Sequence, residues 1–327
     1  MRSRNESIDT ARGVAMLIVI FWHSMIYKVP GWQIYSVFTA PVMIPLFFFI
    51  SGYLFNKADL DFKTFIGNII RKIVVPWLFL SLKWVYFFVS IVKGDWNALG
   101  EHFVRLLSGK DFWYMPCFIF AEIFWFLINK YVRKMYFVFI VVGSCFVVGL
   151  VFSHYDILNY AMINRALVVQ LYMLLGLLYK KYKDKIGLNK KFGLVGVVGY
   201  IVLGIIAISV WPNEYIDVHK NLYFNIPYCL VMIIIGCNLI FGALEGHNRS
   251  NKILAFIGKN TLVYYMLSDY CVTVLKKVCG LIGIDFVADL KWAIIETIWA
   301  CIACGILALT LNRFFPILVG KNRVRRG

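Results

Sequence analysis

The chain has 327 residues, 61% of them hydrophobic and only 16% charged, with a mean hydropathy of +0.76. Soluble domains run to about a quarter charged residues, so this composition needs lipid as part of its solvent. The net charge of +17 would suggest nucleic acid in a soluble protein. Here the basic residues gather in the gaps of one side, as cytoplasmic loops do, and no nucleic-acid partner is expected.

A helix needs about 20 mostly apolar residues to cross the hydrocarbon core. Such stretches fall at roughly 10–28, 34–55, 73–92, 113–129, 135–153, 162–179, 192–211, 223–244, 257–278 and 290–312. The polar gaps, none above roughly 20 residues, are too short for an independent core. The sequence therefore predicts an all-α integral membrane protein, a single domain over 1–327 with about ten transmembrane helices. An even count returns both termini to one side. That side carries Arg2 and Arg4, the gaps 56–72, 130–134, 180–191 and 245–256, and the tail 313–327. These hold most of the 34 basic residues, including the run from Lys180 to Lys191, so both termini are expected in the cytoplasm. The first apolar run is long for a signal peptide and lacks a small-residue cleavage site, so it is expected to stay as a helix.

In the first span His23 follows Arg12 by eleven positions. At 100° per residue that is three turns plus about 20°, so both share one helix face, separated by roughly 16 Å along the axis. Asp9 lies three residues before Arg12, on the same face again. Such a stripe cannot face lipid, so it lines a cavity or meets polar groups of other helices, with His23 expected past mid-depth. The other histidines, His102, His154, His219 and His247, fall in gaps. A buried histidine is more often a hydrogen-bonded core residue than a catalyst. An imidazole nevertheless titrates near neutrality, which suits proton transfer, and Arg12 suits an anionic ligand.

The second span holds Met43–Phe55, MIPLFFFISGYLF, a proline and an aromatic run closed by Ser51–Gly52. Pro41, Pro45, Pro76, Pro116 and Pro227 interrupt spans, and a carbonyl freed by proline must find a partner inside the protein, so such breaks often border cavities. Lys83, Glu122, Asp269 and Glu296 also sit within spans. An ionisable group at the centre of a span costs roughly 2.5 kcal/mol or more, which makes each a functional candidate. The blander reading pairs the carboxylates with Lys83 or with backbone. The eight cysteines, Cys301 and Cys304 among them, lie in or beside apolar runs and are expected as small buried hydrophobes, with no metal.

These residues resemble acyltransferase family 3, whose members are integral membrane O-acyltransferases. Ile8–Asp9–Thr10–Ala11–Arg12–Gly13 and the run to His23–Ser24 look like the family's opening helix, a basic residue followed after ten positions by histidine. Pro45 to Tyr53, PLFFFISGY, matches its second-helix motif. Lys63, Arg71 and Lys72 leading into Pro76–Trp77, then Trp113–Tyr114–Met115–Pro116, then Ile257–Gly258–Lys259–Asn260–Thr261–Leu262, resemble later elements in the family's order. Two departures stand out. Ser268 followed by Asp269 occupies the place of a late histidine, and Asn68 stands where an Arg-x-x-Arg pair would have its first arginine.

The resemblance implies acyl transfer from acyl-CoA, most often acetyl-CoA, to a carbohydrate hydroxyl of a cell-surface polysaccharide or its lipid-linked precursor. It places the protein in the bacterial cytoplasmic membrane, in contact with the lipid bilayer, with a homodimer left open. His23 is then the general base, with an acyl-histidine intermediate as a variant, supported by Asp9 and Arg12. Arg12, Arg71, Lys72 and Ser51 are the expected coenzyme contacts. Trp113, Tyr114, Glu122, Asn260 and Asp269 are the expected acceptor contacts. Two alternatives stay open on the residues alone. A multi-pass exporter of a small anionic or glycan-linked substrate suits broken spans and intramembrane charge equally well, and a non-catalytic scaffold fits the missing late histidine.

Overall fold

The structure is a computed structural model that describes residues 5–26, 29–56, 58–186, 190–245, 250–284, 286–287 and 289–321. Arg2, Arg4, Lys28 at the end of the first expected span, His247, the tail beyond Lys321 and the side chains of Lys185, Lys190 and Lys191 lie outside what is described. Among the described residues the secondary structure is helical, with a single bridge between Asp217 and Leu222 in place of strands. In chain order come α1 (Glu6–Met25), α2 (Trp32–Met43), α3 (Pro45–Leu54), α4 (Phe62–Ile69), α5 (Val75–Leu80), α6 (Lys83–Lys93), α7 (Trp96–Ser108) and α8 (Tyr114–Tyr131). Then follow α9 (Met135–His154), α10 (Ile163–Val168), α11 (Gln170–Ile186), α12 (Lys190–Val210), α13 (Ile226–Glu245), α14 (Lys252–Lys259), α15 (Thr261–Leu281) and α16 (Leu290–Phe314).

Among the described residues six helices are long and apolar enough to cross a membrane: Glu6–Met25, Trp32–Leu54, Met135–His154, Gly193–Val210, Ile226–Leu244 and Leu290–Phe314. Two bent pairs bring the number to eight, Phe62–Leu80 with Lys83–Lys93 at 56°, and Tyr160–Val168 with Gln170–Lys183 at 40°. The chain is thus a multi-pass membrane protein. The spans expected at 113–129 and 257–278 fall short of that standard. Helix α8 has 18 residues, and Glu122, Asn129 and Lys130 dilute its apolar run. The other is cut at Asn260, which leaves α14 with eight residues and an α15 that carries Asp269, Lys276 and Lys277.

Local geometry marks several of the helix ends. Pro76 has no N–H to give, and the turn just before it, Ile70–Val74, widens to π geometry. Between α5 and α6, Leu82 takes a left-handed φ of 54° and the Ser81 hydroxyl accepts the Lys83 N–H at 3.2 Å. Before α10, Ala161 and Met162 are both left-handed. At the start of α1 the Asn5 side chain accepts the Ser7 N–H at 2.9 Å, and Glu6 and Asp9 lie in the first turn where the helix dipole favours anions.

The chain forms two compact units. The first comprises 1–54, 172–218 and 222–306. Two near-contacts of backbone hold it together. Gly13 of α1 lies against the Leu254 carbonyl while Gly258 of α14 lies against the Asp9 carbonyl, and a Cβ at either position would overlap the facing oxygen. Gly52 of α3 and Gly176 of α11 repeat the device against the Met173 and Phe49 carbonyls. Close backbone approach through small residues is the ordinary way helices associate in lipid, where no hydrophobic force drives them together. Phe49, Tyr53, Tyr179 and Phe241 pack edge-on or tilted around the second joint.

The second unit comprises 55–171, 219–221 and 307–327. Phe65 and Phe126 stack at 4.1 Å. Lys83 pairs with Asp111 at 2.8 Å, and Arg105 reaches the same carboxylate at 2.9 Å. Lys83, one of the partners that the bland reading offered the intramembrane carboxylates, is paired with Asp111. Helix α7 has 13 residues, about 20 Å at 1.5 Å each, and is too short to span.

Candidate active site

Two sequence motifs far apart in the chain meet on α1. The joint at Gly13 and Gly258 brings Asp9 and Arg12 against the Ile257–Leu262 segment. Asp9 is only 2% exposed, and Arg12 Nη1 lies 3.6 Å from its carboxylate. Lys259 reaches Glu6 at 3.2 Å, and the Asn251 N–H donates to the Thr10 hydroxyl at 3.1 Å. Asn260 is buried at the corner between α14 and α15, where its amide donates to the Phe256 carbonyl at 2.7 Å.

His23 lies well past the middle of its helix, in the last turn, because α1 starts at Glu6 and Ile26 already leaves helical geometry with ψ 130°. The side chain is exposed and borders an open cavity of about 280 Å³. Ile20, His23 and Ser24 form its α1 wall, three positions on one face. Helix α15 supplies Ser268, Asp269, Val272, Thr273 and Lys276, and α16 supplies Glu296. Lys276 Nζ meets the Glu296 carboxylate at 2.7 Å, and the Glu296 side chain is 5% exposed. The Trp299 indole N–H donates to the Cys271 carbonyl at 2.9 Å, which fixes α16 against α15 beside the cavity. Asp9 and Arg12 are not among the lining residues. Asp269 and His23 are thus brought to one cavity, and Arg12 keeps to the other end of α1.

The remaining expected contacts are placed as follows. Ser51 is half-buried on α3, one residue before the Gly52 joint. In the second unit Arg71 and Lys72 are exposed in the π turn, and Arg71 donates to the Asn68 side chain at 3.2 Å. The asparagine that replaces the expected arginine is therefore in contact with the arginine that remains. Trp113 stacks on His219 at 4.9 Å and meets Tyr114 edge-on at 6.0 Å. Glu122 is buried on α8.

Sequence reasoning passed over Lys276 and Thr273, although 269, 273 and 276 follow the i, i+4, i+7 spacing of one helix face. It also passed over Arg165, which stands inside the span expected at 162–179. Arg165 is 8% exposed and donates to the His219 carbonyl at 2.8 Å, to the Asn164 side chain at 2.8 Å, and to Asn159.

Chemically, the cavity offers an imidazole able to take a proton, a carboxylate beside it, three hydroxyls and one ion pair, walled by Ile20 and Val272. Such a lining suits a small polyhydroxylated group and an alcohol-activating base. No curated protein and no solved structure matches the chain. The family model described as "Acyltransferase domain" matches residues 5–312, from the cap of α1 to the last turn of α16. With that match over nearly the whole length and its apolar helices, the chain belongs to acyltransferase family 3 and is a membrane acyltransferase.

Proposed function

We propose that the protein moves an acetyl group from acetyl-CoA, on the cytoplasmic side of a bacterial inner membrane, to a hydroxyl of a surface carbohydrate or its lipid-linked precursor. The observation behind this reading is that His23 borders an open polar cavity together with Asp269. A ring nitrogen of His23 takes the proton of the acceptor hydroxyl, and the oxygen attacks the thioester carbonyl carbon. The tetrahedral intermediate expels the coenzyme thiolate as the C–S bond breaks. The imidazolium returns the proton to sulfur, so the products are an O-acetyl ester and free coenzyme thiol.

Arg12 attracts the donor's phosphates, with Ser51 as a further polar contact. Asp9 orients Arg12 through their ion pair. The donor's extended arm covers the roughly 16 Å along α1 between Arg12 and His23. Asp269 and Ser268 contact the acceptor in the cavity, with Asn260 as a further contact. The ten-span arrangement with cytoplasmic termini completes this reading, with α8 and α15 as its two polar crossings.

Full-length protein in phospholipid vesicles, given acetyl-CoA and glycan from the producing cells, tests it. One free thiol should appear for each acetyl ester formed. Glycan left unacetylated, with or without thiol release, contradicts the proposal.

A further inference from the structure

The cavity beside His23 holds more charge than proton transfer needs. Lys276 and Glu296 come from different helices and meet at 2.7 Å, with the Glu296 side chain almost wholly buried. The Lys276 ammonium also lies 5.5 Å from the centroid of the Phe286 ring, on the face that attracts cations. It is therefore held from two directions at the cavity wall. Asp269, Thr273 and Lys276 line the cavity from one stripe of α15. A base must be neutral to accept a proton, so the charges of the lining are two carboxylates, Asp269 and Glu296, against one ammonium.

We propose that the Lys276–Glu296 pair selects the acceptor, so that the cavity takes an uncharged sugar ring and turns away acidic ones. This inference rests on acyl transfer at His23. Sugar hydroxyls both donate and accept, so a neutral ring can donate to Asp269 and accept from Lys276 or Thr273 while the ion pair stays closed. An acidic sugar brings a second anion next to Asp269. Its nearest compensation is Lys276, and drawing that ammonium away strips a buried carboxylate of its counter-charge, which low-dielectric surroundings make strongly unfavourable. The size agrees: about 280 Å³ lies at the small end of ligand pockets and has room for one sugar ring.

Mass spectrometry of surface glycans, with each ester assigned to its sugar residue, tests this in cells with and without the full chain. Esters that depend on the chain should sit on uncharged residues. Glu296→Gln, at equal membrane level, should lower them about tenfold, the loss of one charge-assisted contact. Combining Lys276→Glu with Glu296→Lys keeps both the pair and the net charge, and should restore most of the loss. Chain-dependent esters on uronic, phosphorylated or otherwise acidic sugars would overturn the proposal, as would Glu296→Gln leaving ester levels unchanged. If Glu296→Gln does not reach the membrane, the ester positions and the swapped variant decide. No chain-dependent ester at all would instead overturn acyl transfer itself, and this inference with it.

Discussion

His23 and Asp111 represent the two kinds of charge-bearing residue in this chain. His23 is exposed and borders a cavity. Asp111 is enclosed by Lys83 at 2.8 Å and Arg105 at 2.9 Å and serves the fold. Burial pushes the Asp111 carboxyl up, but the hydrogen bonds and charges of Lys83 and Arg105 outweigh it and hold the group below the ordinary carboxylate range. A carboxyl depressed in the folded state stabilises it above the unfolded value near ~3.9, and that contribution is lost as pH falls through the native value. Asp111→Asn should therefore cost about 1.5–3 kcal/mol at neutral pH. The gap in thermal midpoint between wild type and variant in detergent should narrow below about pH 4. A gap that stays constant down to pH 3 would assign the loss to packing rather than charge.

At the scale of helices, the two glycine joints explain why motifs remote in sequence lie together. Gly13 and Gly258 bring the Asp9–Arg12 segment onto α14, and Gly52 with Gly176 brings the end of the aromatic second-helix motif onto α11. Each glycine faces a backbone carbonyl, which cannot rotate away as a side chain can. Gly13→Ala and Gly52→Ala should each destabilise by about 1–3 kcal/mol or more, whereas Gly143→Ala, with open space around its Cβ, should not lower the thermal midpoint. Equal midpoints for all three variants would contradict close backbone packing. The sequence displayed these motifs as composition and spacing, and the Arg12-to-His23 stripe could be read from 100° per residue alone. Their partners were illegible, because which helix a glycine faces depends on packing between segments more than a hundred residues apart.

Across the whole chain, long unbroken apolar runs were easy to recognise and broken ones were not. Spans near 34–55, 135–153, 223–244 and 290–312 correspond to single straight or nearly straight stretches. The bends at Leu82 and near Val169 left no strong mark, since neither glycine nor proline sits at either break. The α14–α15 corner at Asn260 was hidden inside a motif that read as continuous helix. Lys276 and Arg165 escaped notice because a cation near the end of an expected span looks like a flanking charge. The proposed orientation can be tested by single cysteines in a background lacking the native ones. Asp61→Cys should react with an impermeant maleimide only from the cytoplasmic side and Asp95→Cys only from the opposite side. The reverse pattern, or labelling of both from one side, would contradict the orientation drawn from charge.

The most direct measurement is acetyl transfer by reconstituted His23→Ala beside wild type, with both at equal protein in the vesicle and with intact binding of acetyl-CoA. General-base catalysis contributes about 10²–10⁴-fold, so ester formation by the variant should fall by at least about 10² while donor binding changes little. Ester formation within about threefold of wild type, well short of the loss expected for a catalytic base, would contradict the central role given to His23.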